Sequence, residues 1–281
     1  MINEQAVSRN YTHGDLLHAI EAAVAKLGKT VDTLTIDDLA PVDEFHIGGR
    51  QATERFLTQL NFSPNDHWLD VGCGLGGDAR YVANRFGARV SGIDLTPEYV
   101  ETGKRLCQWV GLADQIALHQ GSALAMPFAD ATFDGGYMVH VGMNIEDKTQ
   151  LFAEIFRLLR PGATFGIYDI MRAGDDDLRY PVPWATVADI DRSVPPTHYH
   201  QALLAAGFEL LAENDRSDFA LDFFQAMQAR TAANGGPPPL GLHVLMGQST
   251  APKVQNMIQN LAAGRIAPVE MIVRKAESIA T

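Results

Sequence analysis

The stretch "HWLDVGCGLGGDARYVANRF", residues 67–86, restricts the fold more than any other part of the 281-residue chain. "HWLDV" reads as a short buried strand, and Ala79, Val82, Ala83 and Phe86 then recur at helical spacing. Between them Gly72, Gly74 and Gly77 match the G-x-G-x-x-G pattern of a turn that lets backbone approach a ligand closely. A strand that runs through such a turn into a helix is the opening unit of an open α/β sheet.

The rest of the chain repeats that unit. "RVSGI" reads as the next strand, followed by Thr96 as helix cap and Pro97 at the first helical position. "IALHQ" and "FDGGYMV" read as strands. Leu151, Ile155, Leu158 and Leu159 line a helix that is expected to stop at Pro161-Gly162, and "ATFGIYDI" follows as a strand. After residue 197 the pattern reads helix, "FELLAE", helix at about 218–232, a stiff "GGPPPLG" connection, helix at about 252–263, and a last strand "VEMIV". Strands separated by crossover helices predict a doubly wound, mostly parallel sheet.

Two segments lie outside this rhythm. Before the turn cluster "NFSPND" (61–66), Leu16, Ile20, Ala23 and Leu27 predict a helix over 14–28, and a second is expected over Gln51–Gln59. Residues 1–62 therefore read as an N-terminal helical cap on a domain spanning 63–276. That cap is either a lid over a ligand or a helical layer packed on the core or on a second copy, which leaves a homodimer open. Residues 174–197 form an insertion after the C-terminal end of a strand, the edge at which open α/β sheets bind ligands.

Composition narrows the partners. Charged residues make up 20% of the chain, with a net charge of −12 and no dense run of Lys and Arg. Nucleic acid and anionic membrane surfaces are therefore not expected partners. The two cysteines, Cys73 and Cys107, form no disulfide framework and no zinc pattern, so no metal is expected. The N-terminal segment lacks a secretory pattern, and no apolar stretch reaches the length of a membrane span. A cytoplasmic protein is expected.

The charge around the glycines decides what the turn receives. Asp94 lies 20 residues after Gly74, where a ribose-binding acid is expected. Asp70, if it faces the ligand, would repel a pyrophosphate. Two like charges about 4 Å apart cost about 4 kcal/mol at an effective dielectric of 20. A ligand with an ammonium or sulfonium suits the same carboxylate. S-adenosylmethionine carries both, has no phosphate, and keeps a ribose for Asp94.

"LDVGCGLGG" resembles the first motif of class I S-adenosylmethionine-dependent methyltransferases, and "GIDLT" resembles their second. "GSALAMPF" (121–128) and "LLRPGATFGIYDI" are similar to later segments of that family in the same order. The resemblance implies a Rossmann-like fold of seven strands whose last strand is antiparallel. It implies S-adenosylmethionine as cofactor, S-adenosylhomocysteine as product, and cofactor contacts from Asp70, Gly72, Cys73, Gly74, Gly76, Asp94, Leu95, Ser122, Ala123 and His140. Ser122 stands where that family commonly has an aspartate near the adenine amino group. "EFHIGGR", "HVGMNI" and "YDIMR…YPVPWA" are similar to the bacterial sarcosine/dimethylglycine methyltransferase group, which implies a small-molecule acceptor.

The acceptor is read from residues near the methyl group. His140 and Tyr137 are candidate bases, with a packed or capping histidine as the alternative. His46, Arg50, Met143, Arg172, Tyr180 and Trp184 are candidate acceptor contacts, Arg172 as a carboxylate clamp and Trp184 as one wall of an aromatic box. N-methylation of a small amino acid or amine is the leading expectation. Methylation of an aromatic or isoprenoid-like molecule at oxygen or carbon is the alternative. A nicotinamide-dependent oxidoreductase and a non-catalytic cofactor-binding protein are the readings from other classes.

Overall fold

The computed structural model describes residues 4–277. Four helices come first: α1 (Glu4–Tyr11), α2 (Leu16–Lys26), α3 (Ile36–Asp43) and α4 (Gly49–Leu57). The alternating region then runs β1 (His67–Val71), α5 (Gly77–Phe86), β2 (Arg89–Asp94), α6 (Pro97–Trp109), β3 (Ile116–Gln120), β4 (Phe133–Val139), α7 (Lys148–Leu158) and β5 (Leu159–Arg172). It closes with α8 (Pro196–Ala206), β6 (Phe208–Asp215), α9 (Ser217–Ala233), α10 (His243–Met246), α11 (Thr250–Ala262) and β7 (Ile266–Lys275).

The strands form one seven-stranded sheet in the order β3-β2-β1-β4-β5-β7-β6. The first five are parallel, and β7 runs antiparallel between β5 and β6. This is the doubly wound, Rossmann-like arrangement with an antiparallel last strand that the sequence predicts. The order reverses between β1 and β4, so the strand ends there open onto a crevice. Both faces are covered. Leu69, Val71, Phe165 and Ile167 pack under Phe152, Ile155 and Tyr199 on one face. Trp68, Val90, Tyr137 and Tyr168 pack with Phe56, Leu57 and Val82 on the other. The glycine pair in "FDGGYMV" makes room for this packing, because a Cβ on Gly135 would lie 2.4 Å from the Trp68 ring.

Four local expectations need correction. The stripe on α2 is Leu16, Ile20, Ala23 and Val24; Leu27 lies beyond the helix and is 37% exposed. Helix α4 begins at Gly49 rather than Gln51, because Gly48 adopts φ +97° and turns the chain into the helix. Pro161-Gly162 does not separate α7 from β5: Leu159 already pairs with Phe133, and the Pro-Gly sits in an irregularity before Gly135 meets Thr164. After "GGPPPLG" the chain adds the short helix α10, which periodicity could not reveal in four residues.

The N-terminal helices meet the domain in two ways. Leu16, Ile20, Val24, Leu39 and Val42 form a cluster with Tyr99 and Leu106 of α6 and with Leu240. Helix α1 buries no residue. The link between α1 and α2 is pinned at one point: the Glu98 carboxylate accepts hydrogen bonds from the backbone N–H of His13, Gly14 and Leu16, at 2.5, 2.8 and 2.9 Å. Against the cost of burial, those three N–H groups hold Glu98 below the usual carboxylate range.

Candidate active site

The glycine turn is shaped by what surrounds it. Gly72, Gly74 and Gly76 have φ of +73°, +52° and +79°, a region in which L side chains are strained. The N–H groups of Gly72 and Cys73 both donate to the Ile93 carbonyl, at 2.8 and 3.0 Å, which folds the turn over the end of β2. A Cβ on Gly72 would lie 2.3 Å from Val141 Cγ2. The turn therefore closes against the loop after β4, and one cavity of about 2750 Å³ begins there.

Several expected cofactor contacts line this cavity: Gly72, Cys73, Gly74, Asp94, Leu95, Ser122, Ala123 and His140. Asp94 Oδ2 accepts from the Gly74 N–H at 2.9 Å and Oδ1 from the Thr96 N–H at 2.8 Å. A carboxylate has about four acceptor positions, so two remain for a diol. Gly76 is behind the lining, where its φ starts α5 and a Cβ would press Leu118 at 3.1 Å.

Asp70 is not among the lining residues. It is buried beneath the turn beside the Tyr137 phenol, with Oδ2 lacking a hydrogen-bond partner. Burial, reinforced by the nearby Asp78, pushes its carboxyl well above the usual range. The acid that reaches the cavity at this turn is Asp78, on the first turn of α5. Tyr137 is likewise buried on β4 and lines no part of the cavity, which removes it as a base for a ligand held there.

The "DEFHIGGR" loop brings a charged network to the same wall. His46 Nε2 lies 2.7 Å from Glu44 Oε2 and 4.0 Å from Asp78 Oδ1, and the Thr53 hydroxyl donates to Glu44 with Asp78 Oδ1 at 3.1 Å from the same oxygen. Burial alone would lower the His46 pKa, but Glu44 outweighs it and the net shift is upward. Burial pushes Asp78 up to about 6, against the pull of His46. Arg50 Nε is 3.0 Å from Glu44 Oε1. Both terminal nitrogens of Arg50 are buried without a hydrogen-bond partner. Glu44, His46 and Asp78 offer atoms within 4.8 Å of one another, a spacing open to a metal ion. The adjacent guanidinium and the raised His46 already supply positive charge there, and we assign no ion.

His140 follows β4 with φ +55°, its N–H donating to the Tyr168 carbonyl at 2.7 Å. The ring lies 5.7 Å from His46 and 5.0 Å from Tyr168, and Nε2 has no partner. Burial first, and the neighbouring His46 second, push its pKa well below the usual value, so the imidazole is neutral.

Beyond His140 the lining gains large apolar side chains, Met143, Trp184, Phe223, Phe224, Met227 and Met257, with Gln228 and Gln255 among them. Trp184 is held by Nε1 donating to Asp191 at 2.9 Å. Two expected acceptor contacts fall elsewhere. Arg172 donates to the carbonyls of Gly174 and Asp176, and the Tyr180 hydroxyl donates to Asp191 at 2.8 Å; neither lines the cavity. Helix α1 lies over the opening: Tyr11 donates to Asn144 Oδ1 at 3.1 Å, Asn10 to the Trp184 carbonyl at 3.3 Å, and Ser122 to Glu4.

Residues 69–167 match a family model described as a methyltransferase domain. The chain is 30% identical over 207 residues to the methyltransferase GfsG of Streptomyces halstedii, covering 73% of this chain and 72% of that one. It is 33% identical over 172 residues to a sterol 24-C-methyltransferase of Eremothecium gossypii, covering 59% of this chain and 46% of the relative. This chain thus spans about half the length of that relative. A solved structure of a Galdieria sulphuraria protein, named provisionally as a sarcosine dimethylglycine methyltransferase, shares the fold with a TM-score of 0.63 at 20% identity, over 82% of this chain and 86% of that one. The glycine turn, the acid after β2 and the likeness to GfsG over 73% of the chain agree: the protein belongs to the class I S-adenosylmethionine-dependent methyltransferase family.

Proposed function

We propose that the protein transfers the methyl group of S-adenosylmethionine to a predominantly apolar small molecule, with His140 taking the proton that the acceptor gives up. The observation that carries this reading is a cavity of about 2750 Å³ that runs from the strand ends to α9 and α11, where Phe223, Phe224, Met227, Val254, Met257 and Ile258 line it beside Gln228 and Gln255. Pockets for single drug-sized ligands are typically about 300–1,000 Å³, so there is room for the cofactor and for an acceptor well beyond the size of an amino acid.

The unpaired groups fit the cofactor at both ends. Asp94 has acceptor positions left for the ribose hydroxyls. The free Arg50 nitrogens suit a carboxylate, and Asp78 suits the ammonium beside it. Bound there, S-adenosylmethionine supplies an already activated methyl group. Alignment and proton removal are what remain for the protein. A neutral His140 with a free Nε2 suits the second task, because the acceptor's proton becomes acidic as its lone pair is committed.

The small amino acid acceptor is less favoured. The clamp expected from Arg172 is spent on two backbone carbonyls, and the acceptor end carries aromatic and methionine side chains that a small amino acid would leave largely uncovered.

The test is transfer of a labelled methyl group to a panel holding a sterol, an isoprenoid alcohol, an aromatic polyketide, sarcosine and dimethylglycine. Label on an apolar member is expected, and label only on the two amino acids would overturn the acceptor class. His140→Ala should lower kcat by about 10²–10⁴-fold, a larger loss than any weakening of S-adenosylhomocysteine. Unchanged turnover in that variant would remove His140 as the base.

A further inference from the structure

Ser122 carries only a hydroxyl at the end of the cavity beyond the ribose acid, and the structure supplies a carboxylate to it from elsewhere. The Gly121 N–H donates to the Asp94 carbonyl at 3.0 Å, so the loop after β3 lies directly beside the proposed ribose site. The Ser122 hydroxyl accepts from the Leu124 N–H at 3.1 Å and donates its one proton to Glu4 Oε1, on the first turn of α1. Glu4, Leu95, Ser122 and Ala123 all line the cavity. A hydroxyl has one proton and two acceptor positions, so Ser122 keeps a single free lone pair. The Glu4 carboxylate keeps several, and an ionised acceptor makes the stronger hydrogen bond.

We infer that Glu4 reads the base of the cofactor: brought in by α1 and held by Ser122, its carboxylate accepts a hydrogen bond from the exocyclic amino group of adenine. This rests on the cofactor placement proposed above. A base with a keto oxygen in that position would set two acceptors against each other and be rejected. Because Glu4 sits on a helix with no buried residue, base recognition and the seating of α1 become one event. Glu4 is thus a specificity residue that sequence proximity could not reveal, 118 positions from its partner.

The experiment is calorimetric titration of the full chain and of Glu4→Gln and Glu4→Ala with S-adenosylhomocysteine and with S-inosylhomocysteine, its hypoxanthine counterpart. Both variants should fold, since Glu4 is exposed. The wild type is expected to prefer the adenine ligand by about tenfold to a hundredfold, the range for a hydrogen bond to a charged group. In both variants that preference should fall to within about threefold of unity. A preference that survives in the variants overturns the role of Glu4 and leaves the cofactor site standing, even if both affinities drop together. A wild type that binds both ligands equally also overturns it. A wild type that binds neither overturns the cofactor placement, and this inference with it.

Discussion

Replacing Gly72 by alanine isolates the contact that shapes the turn. Two costs follow from the geometry. At φ +73° an L side chain meets its own backbone, for about 1–2 kcal/mol. The new methyl would also stand 2.3 and 2.5 Å from the two methyls of Val141 and 3.0 Å from its Cβ. Val141 is β-branched and stiff at χ1, so the methyls cannot rotate away freely. Forcing one extra methyl into such a space costs about 1–3 kcal/mol, which brings Gly72→Ala to about 2–5 kcal/mol in all. Only the second part depends on Val141. In a double-mutant cycle with Val141→Ala, unfolded by urea and followed by tryptophan fluorescence, the pair should therefore be less destabilised than the sum of the single variants by about 1–3 kcal/mol. The φ cost should remain. Coupling within about 0.5 kcal/mol of zero would mean that turn and loop move apart at no cost, and the argument from close approach would fail.

Three further outcomes follow. Arg50→Met should weaken S-adenosylhomocysteine by about tenfold or more in calorimetry, and the two proteins should converge on an analogue lacking the carboxylate. Burial pushes Asp169 up to about 6 from 3.8, against the pull of the Tyr199 hydroxyl and Lys148, so the folded chain holds this proton more tightly than the unfolded one. Its stabilising effect is complete below about pH 4 and lost as pH rises through 6; the limit is about 3 kcal/mol, and Asp169→Asn should flatten that part of the urea-stability profile between pH 4 and 7. Deleting residues 1–10 leaves the Tyr11 ring against Phe45 and Tyr99 and removes no buried side chain of α1, so unfolding free energy should change by less than about 0.5 kcal/mol while stopped-flow release of S-adenosylhomocysteine accelerates.

Much of the fold could be read in advance because its signals are local. The strand, glycine turn and helix over 67–86 and the spacing to Asp94 need only period and turn chemistry. The site was less legible wherever depth or distance mattered. Alternation places Asp70 on the face of Trp68, but in a parallel sheet both faces are buried, and alternation does not say how far below the turn a side chain ends. Asp78, one helical step beyond the last glycine, is the acid of this turn that lines the cavity. Arg172 stands at the expected strand edge, yet the following residues curl back and occupy it with the carbonyls of Gly174 and Asp176. Glu44 lies two residues before His46 in the "DEFHIGGR" loop, a spacing that announces an acid–imidazole pair only once the loop's turn is known.

The three backbone bonds gathered by Glu98 assign different mechanical fates to neighbouring helices. On the far side of that anchor, α2 is committed to the interior through Leu16, Ile20 and Val24. On the near side, α1 is joined to the rest by polar contacts from Glu4, Asn10 and Tyr11 and, at its last residue, by the Tyr11 ring against Phe45 and Tyr99. If α1 covers the ligand as proposed, the part that must move for entry or release is the stretch before Tyr11, about a fixed post and with no rearrangement of the core. Turnover would then be timed by a few hydrogen bonds at the rim, which makes exchange rate and global stability separately adjustable properties of this chain.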